Sequence, residues 1–359
     1  MSQNKSVLVA MSGGVDSSVC AYLMKEQGYT CMGTTMKLYR SDKPNPGNFP
    51  TCCSETDIDD AREICCQIDM PYQVLDFTAD FASKIIDKFV RTYEEGGTPN
   101  PCIDCNRFMK FEKLLSFADA YGMEKIATGH YARVEYDEAS GRYLLKKAVD
   151  STKDQSYVLY MLTQEQLSRI LFPLGGLTKE EVRRIAAEQG FVNAGKHDSQ
   201  DICFVPDGDY VKFMEEYTGR HYPEGSFLDE TGAVIGTHRG SVRYTLGQRK
   251  GLGLAMKQPV YVYQKDVKAN TVSVGPEDLL FSKELIADEM NWISMDPPTE
   301  PVKVWAKTRY RGKELPATVY PLEGGRVRVV FEEPQRAITP GQALVMYQGD
   351  VVVGGGRIC

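Results

Sequence analysis

Nowhere in the 359 residues does an apolar run approach bilayer-spanning length, and the opening MSQNKSVLVAMSGG has too short an apolar run for a secretory leader. A cytoplasmic protein with no membrane partner is expected. In that compartment the ten cysteines do not read as a disulfide framework. Histidine is scarce, at four residues, and the one CxxC, Cys102–Cys105, has no second pair to complete a zinc ribbon. Cys52 and Cys53 are adjacent, an awkward geometry for two ligands of one metal. An excess of positive charge is also missing: 42 Lys and Arg stand against 49 Asp and Glu, a net charge of −7. That argues against a general nucleic-acid coat and leaves room for local basic clusters.

What is present begins with alternating strand and helix patterns. SVLVAM (6–11), TCMGTTMKL (30–38) and YQVLDF (72–77) read as strands, with DSSVCAYLMKEQG (16–28) and ETDIDDAREICCQI (55–68) as helices between them. Residues 41–53 and PCIDCN (101–106) read as loops, RFMKFEKLLSFADAYG (107–122) as a helix, and KIATGHYARVEY as strand plus turn. Thr178 three residues before Glu181 marks a capping box. This order predicts a mainly parallel α/β sheet domain over 1–205. Short glycine-punctuated strands follow in a small central domain, 206–278, and period-2 alternation over 279–359 predicts an antiparallel β-barrel. Cys20, Cys31, Cys65 and Cys66 sit in apolar or helical surroundings and are expected to be buried.

VLVAMSGGVDSS carries the strongest chemistry. A strand ends at Met11, two glycines turn, and a helix begins near Asp16. The amides of Gly13, Gly14 and Val15 and the hydroxyls of Ser12, Ser17 and Ser18 are placed to surround phosphate oxygens, with the helix N-terminus behind them. The segment is neither the Walker form nor GxGxxG. Asp16 suits Mg²⁺ bridging the phosphates better than it suits an anion. SGGVDS resembles the SGGxDS signature of the PP-loop ATP pyrophosphatases, which implies cleavage of ATP between the α and β phosphates and adenylation of a substrate oxygen. Ala10 through Ser18, with Ala10 and Met11 at the strand end, form the candidate nucleotide site.

Seven ordered segments then narrow the reading: AMSGGVDSSV, CCS at 52–54, TPNPCIDCNRFMKF, ATGHYAR, KDQSYVLY, SQDICF and TLGQRKGLG. Together they closely resemble the tRNA-specific 2-thiouridylase family. The resemblance implies a PP-loop domain, a central tRNA-contacting domain and a C-terminal β-barrel. It further implies ATP-dependent 2-thiolation of a wobble uridine, with Cys105 as nucleophile and Cys203 as persulfide carrier. A sulfur-relay or cysteine desulfurase donor would load Cys203, and a reductant would reset a Cys105–Cys203 disulfide. Met36 and Gly129 match nucleotide-contacting positions, Asn100, Pro101 and Cys102 the target-base pocket, and Lys153, Asp154 and Gln155 tRNA contacts. At position 102 the family often carries Asp, so Cys102 departs from the pattern and opens an alternative. Cys102, Cys105 and Cys203 together could ligate three irons of a [4Fe–4S] cluster.

Basic residues cluster in two places. Residues 231–265 hold Arg239, Arg243, Arg249, Lys250, Lys257 and Lys265 with no carboxylate. In KVWAKTRYRGK, a strand over 303–311 would put Lys303, Lys307, Arg309 and Arg311 on one face with Trp305. Arg309 and Tyr310 are the candidate tRNA contacts there.

Overall fold

The computed structural model describes residues 5–39, 54–196 and 202–359. Cys52, Cys53, His197 and the Ser199–Asp201 part of SQDICF lie outside them. The first layer is a five-stranded parallel sheet. Its strands are β1 (Ser6–Ala10), β2 (Thr30–Lys37), β3 (Tyr72–Asp76) and β4 (Lys125–Ala127), with β7 (Ile170–Leu171) at one edge, in the order β3-β2-β1-β4-β7. Both faces are covered, as an all-parallel sheet requires. Leu8 enters a core with Ile126 and the Phe81–Phe89 helices, while Val7 and Val9 enter a second core beneath Val19 and Ile64. Helix α1 (Val15–Glu26) follows β1 directly, and α2 (Glu55–Gln67) starts on a capping box between Ser54 and Asp57. The Thr178–Glu181 capping box is present as expected and opens the helix Lys179–Glu188.

Two local expectations are corrected. PCIDCN is helical: Pro101 occupies the first turn, where its missing N–H costs nothing, and Pro101–Asp104 runs into a π-helix, Cys105–Lys113. ARVEY leaves the parallel layer. It forms β5 (Ala132–Asp137), which pairs with β6 (Arg142–Lys147), and β6 joins the C-terminal sheet through Lys146 opposite Val351.

The central unit opens with the helix Tyr210–Thr218, followed by a four-stranded sheet of β8 (Gly225–Leu228), β9 (Val234–His238), β10 (Tyr261–Asp266) and β11 (Thr271–Gly275). The last unit contains β12 (Phe281–Trp292), β13 (Val302–Lys307), β14 (Leu315–Pro321), β15 (Val327–Arg336), β16 (Ala343–Gln348) and β17 (Val351–Ile358). Strand β12 pairs antiparallel with both β15 and β17, which closes the barrel and removes its edges. The barrel also reaches back to the first domain. Gln342 Nε2 donates to the Thr98 carbonyl at 2.7 Å, and Thr98 N–H to the Pro340 carbonyl at 2.9 Å. The segment before Pro101 is thereby clamped.

Candidate active site

Helix α1 has Gly14 as its N-cap, which brings no side chain to accept from the first-turn N–H groups. That leaves the positive end of the helix available to an anion. Ser12 is exposed, but the other two hydroxyls are not at the surface. Ser17 Oγ accepts from Ser12 N–H at 3.1 Å and donates to the Gly14 carbonyl at 2.9 Å; Ser18 Oγ donates to the same carbonyl at 3.1 Å. Ser17 and Ser18 therefore shape the turn from inside, and the backbone with Ser12 forms its outer face.

Asp16 is engaged by the protein itself. The Lys179 ammonium donates to its two oxygens at 2.7 and 2.9 Å, and the Tyr131 hydroxyl donates at 2.7 Å. Among the described residues no three His, Cys, Asp or Glu side chains gather as a metal-holding group. Asp16, the expected Mg²⁺ ligand, is thus also the anchor of Lys179. Cys102, Cys105 and Cys203 are all described and belong to no such group.

A second set of bonds closes the loop from the other side. Asn193 Nδ2 donates to the Gly13 carbonyl at 3.0 Å and to Ser18 Oγ at 2.9 Å, and Lys196 reaches Gly13 O, Asp57 and Asp60. Gly129 packs against the loop so closely that a Cβ there would lie 2.8 Å from the Asp16 carbonyl carbon. Met36 is buried at the C-terminal end of β2, one strand over.

The cysteines separate by environment. Burial pushes the thiols of Cys20, Cys31 and Cys65 upward, to about 11 for Cys31 and about 12 for Cys65. Cys66 is exposed, contrary to expectation, because it lies on the outer side of α2. Cys102 is exposed, while Cys105 and Cys203 are half-buried and border the same apolar core. Phe204 holds Cys203 there through edge contacts with Phe81 at 5.6 Å and Phe89 at 5.1 Å. The Cys105 helix is fixed by Asn106 Nδ2 donating to the Val158 carbonyl at 3.0 Å and by a 2.7 Å Lys88–Asp104 pair. Asn100 and Pro99 line a small cleft between this helix and the barrel.

Family models match along the chain: the tRNA methyl transferase HUP domain over 5–207, the tRNA methyl transferase PRC-barrel domain over 211–276 and the aminomethyltransferase beta-barrel domain over 282–358. The chain is 52% identical over 355 residues to the tRNA-specific 2-thiouridylase MnmA of Acetivibrio thermocellus, covering 99% of both chains. It is 48% identical over 358 residues to that of Clostridioides difficile, covering 100% of this chain and 99% of the other. This chain belongs to the tRNA-specific 2-thiouridylase family. A solved 4-thiouridine synthetase–RNA complex with bound ATP is more distant, at 15% identity over 60% of this chain and 50% of that one, with a TM-score of 0.36.

For this 2-thiouridylase family member the RNA-side expectations need sorting. Asp154 turns inward: its carboxylate accepts from Ala148 N–H, Ser156 N–H and the Ser156 hydroxyl. Gln155 accepts from Tyr131 N–H at 2.9 Å. Both hold the turn that presents Lys153. Strand β13 ends at Lys307, so only Lys303, Trp305 and Lys307 share the predicted face. Arg309 is drawn into the structure, donating to Ala337 O, Thr339 Oγ1 and Leu246 O, and so ties the barrel to the central domain. Tyr310 stays accessible, and its hydroxyl donates to Asp154 O at 3.4 Å. Burial first, then the nearby Asp154 and Cys102, raise the Tyr310 hydroxyl, with Arg311 and Lys153 opposing. Tyr310, Cys102 and Lys153 thus share one neighbourhood. In the central basic cluster Arg243 pairs with Glu215 and Asp209, and burial lowers the Lys265 ammonium to about 8. Arg239, Arg249, Lys250 and Lys257 remain exposed.

Lys179, Tyr131, Asn193 and Lys196 are site residues that sequence reasoning does not reach. Lys179 directly follows the capping-box Thr178, and that position is the one sign that it faces the glycine turn across the sheet.

Proposed function

We infer that this chain is a tRNA-uridine 2-sulfurtransferase that uses ATP to replace the C2 oxygen of a wobble uridine with sulfur. One observation carries the reading: a capless glycine turn suited to phosphate and two half-buried thiols belong to a single domain in a chain of the 2-thiouridylase family. The uracil O2 attacks the α-phosphorus, the bond to pyrophosphate breaks, and an O-adenylated base forms. The turn's amides offset the phosphate charge. Mg²⁺ would travel with the phosphates, supplying charge neutralisation there without a protein cage.

A donor protein of the sulfur-relay or cysteine desulfurase class loads Cys203 as a persulfide. Its terminal sulfur attacks C2 and AMP leaves. The Cys105 thiolate then attacks the Cys203 sulfur, the S–S bond to the base breaks, and 2-thiouridine departs, leaving a Cys105–Cys203 disulfide. A reductant restores both thiols, in keeping with action in the cytoplasm. No helix among the described residues is long and apolar enough to cross a membrane. The target base must leave its stack to reach the phosphate site, and Asn100, Pro101, Cys102 and Tyr310 would border its pocket.

The direct test supplies the protein with ATP, a cysteine desulfurase with its cysteine substrate, dithiothreitol and an unmodified tRNA transcript carrying a wobble uridine, and follows 2-thiouridine by mercury-gel retardation. ATP-dependent product is expected; its absence with intact ATP and RNA binding would sink the reading.

The tRNA face is tested by salt. Neutralising Arg311 should flatten the log–log salt dependence of tRNA binding by about one unit. Arg309→Ala should instead lower the melting temperature and leave the slope intact, because its guanidinium is spent within the protein. Equal slopes for Arg311→Ala and wild type would remove that face from the interface.

A further inference from the structure

The cations closest to the glycine turn are largely neutralised by carboxylates: Lys179 by Asp16, and Lys196 by Asp57 and Asp60. Lys110 differs. Its ammonium lies 3.4 Å from Nε2 of His130, and among the described residues no carboxylate is within ion-pair distance of it. His130 is 7% exposed, packed against Phe111 and Phe172, and its Nδ1 lies 2.6 Å from Thr128 Oγ1. Burial, and then the charge of Lys110, hold its pKa well below the usual imidazole value. A neutral ring with Nδ1–H donating to Thr128 leaves Nε2 as the acceptor for Lys110. The contact orients the ammonium without cancelling its charge.

Two features place that charge. Lys110 and Cys105 belong to one π-helix, whose i→i+5 pattern stacks Lys110 one turn beyond Cys105. His130 follows Gly129, whose backbone abuts Asp16 and Ser17 of the phosphate-binding turn. Lys110, His130 and Gly129 thus form a chain of neighbours running from the thiol helix to the glycine turn.

We propose that Lys110 is a catalytic residue of adenylation, meeting the α-phosphoryl group, and that His130 is the positioning residue that aims it. The assignment rests on the adenylation reading above. As uracil O2 bonds to the α-phosphorus, the bond to pyrophosphate breaks and the N3 proton passes to solvent. Lys110 stabilises the negative charge on the α-phosphoryl oxygens through that exchange.

The test measures tRNA-dependent pyrophosphate release in a single turnover without a sulfur donor, alongside calorimetric binding of α,β-methylene-ATP and thermal melting. Lys110→Gln should slow release about 100-fold or more while nucleotide affinity stays within about threefold. Lys110→Arg should recover part of the rate. His130→Leu should slow release about tenfold, and His130→Gln, which can still donate to Thr128 and accept from Lys110, should restore it. Release at the wild-type rate in Lys110→Gln overturns the assignment. So does a rate loss matched by an equal loss of nucleotide affinity, or failure of Lys110→Arg to fold or recover. If wild type itself releases no pyrophosphate in response to tRNA, the adenylation reading fails, and this assignment with it.

Discussion

Cys203→Ser is expected to stop 2-thiouridine formation, by about 1,000-fold or more, while ATP binding and tRNA-dependent pyrophosphate release continue. The reason is chemical: a hydroxyl cannot hold a sulfane sulfur. The exchange is also structurally mild. Cys203 is half-buried, and the anchor of its segment is Phe204, 1% exposed and packed on Phe81 and Phe89. Removing one sulfur there leaves the adenylating turn untouched. Cys105→Ser should behave differently, because it acts after sulfur has reached the base. It should trap a covalent Cys203–tRNA adduct that dithiothreitol releases. Cys102→Ser should keep most of the activity. A cluster mechanism predicts the reverse pattern: loss of activity in all three serine variants, together with iron and a visible absorbance band in anaerobic wild type. Full sulfur transfer by Cys203→Ser would overturn the assignment of the carrier.

The parts of this molecule that were legible in its sequence are those written in local periodicity. The strand–glycine–helix order of SVLVAMSGGVDSS predicts the turn that forms, and Thr178 with Glu181 caps a helix as their spacing requires. Alternation in KVWAK puts Lys303 and Trp305 on the outer face and Val304 and Ala306 inside. What failed depends on contacts between segments far apart. PCIDCN looks like a loop because Pro and Cys are poor helix residues, yet Pro at the first helical position is no penalty, and Lys88 and Asn106 fasten the helix from both sides. Arg309 looks like an RNA contact until Ala337 and Leu246, 28 and 63 residues away, claim its guanidinium. The same holds at the phosphate turn. Nothing near Asp16 in sequence announces Lys179, 163 residues on, whose ammonium pairs with it.

Gly13→Ala is expected to weaken ATP binding about 100-fold, close to 3 kcal/mol, and to lower the melting temperature by several degrees. Two costs combine. Gly13 has φ +72°, the left-handed region, which an alanine enters at roughly 1–2 kcal/mol. A Cβ at this position would also lie 2.2 Å from the carbonyl oxygen of Asp57, a backbone atom on the first turn of α2 that no rotamer change can move. The turn must shift, and its carbonyl takes the bonds of Asn193 and Lys196 with it. Gly28→Ala separates the two costs. Gly28 has nearly the same φ, +79°, but a methyl group there would meet no atom within 4 Å. It should show the backbone penalty in melting temperature and leave ATP affinity unchanged. If Gly13→Ala binds ATP as Gly28→Ala does, the close packing of α2 on the turn does not shape the nucleotide site. If only Gly13→Ala loses the nucleotide, then Asp57, Asn193 and Lys196 belong to the architecture of that site, although none of them lies in the SGGVDS segment.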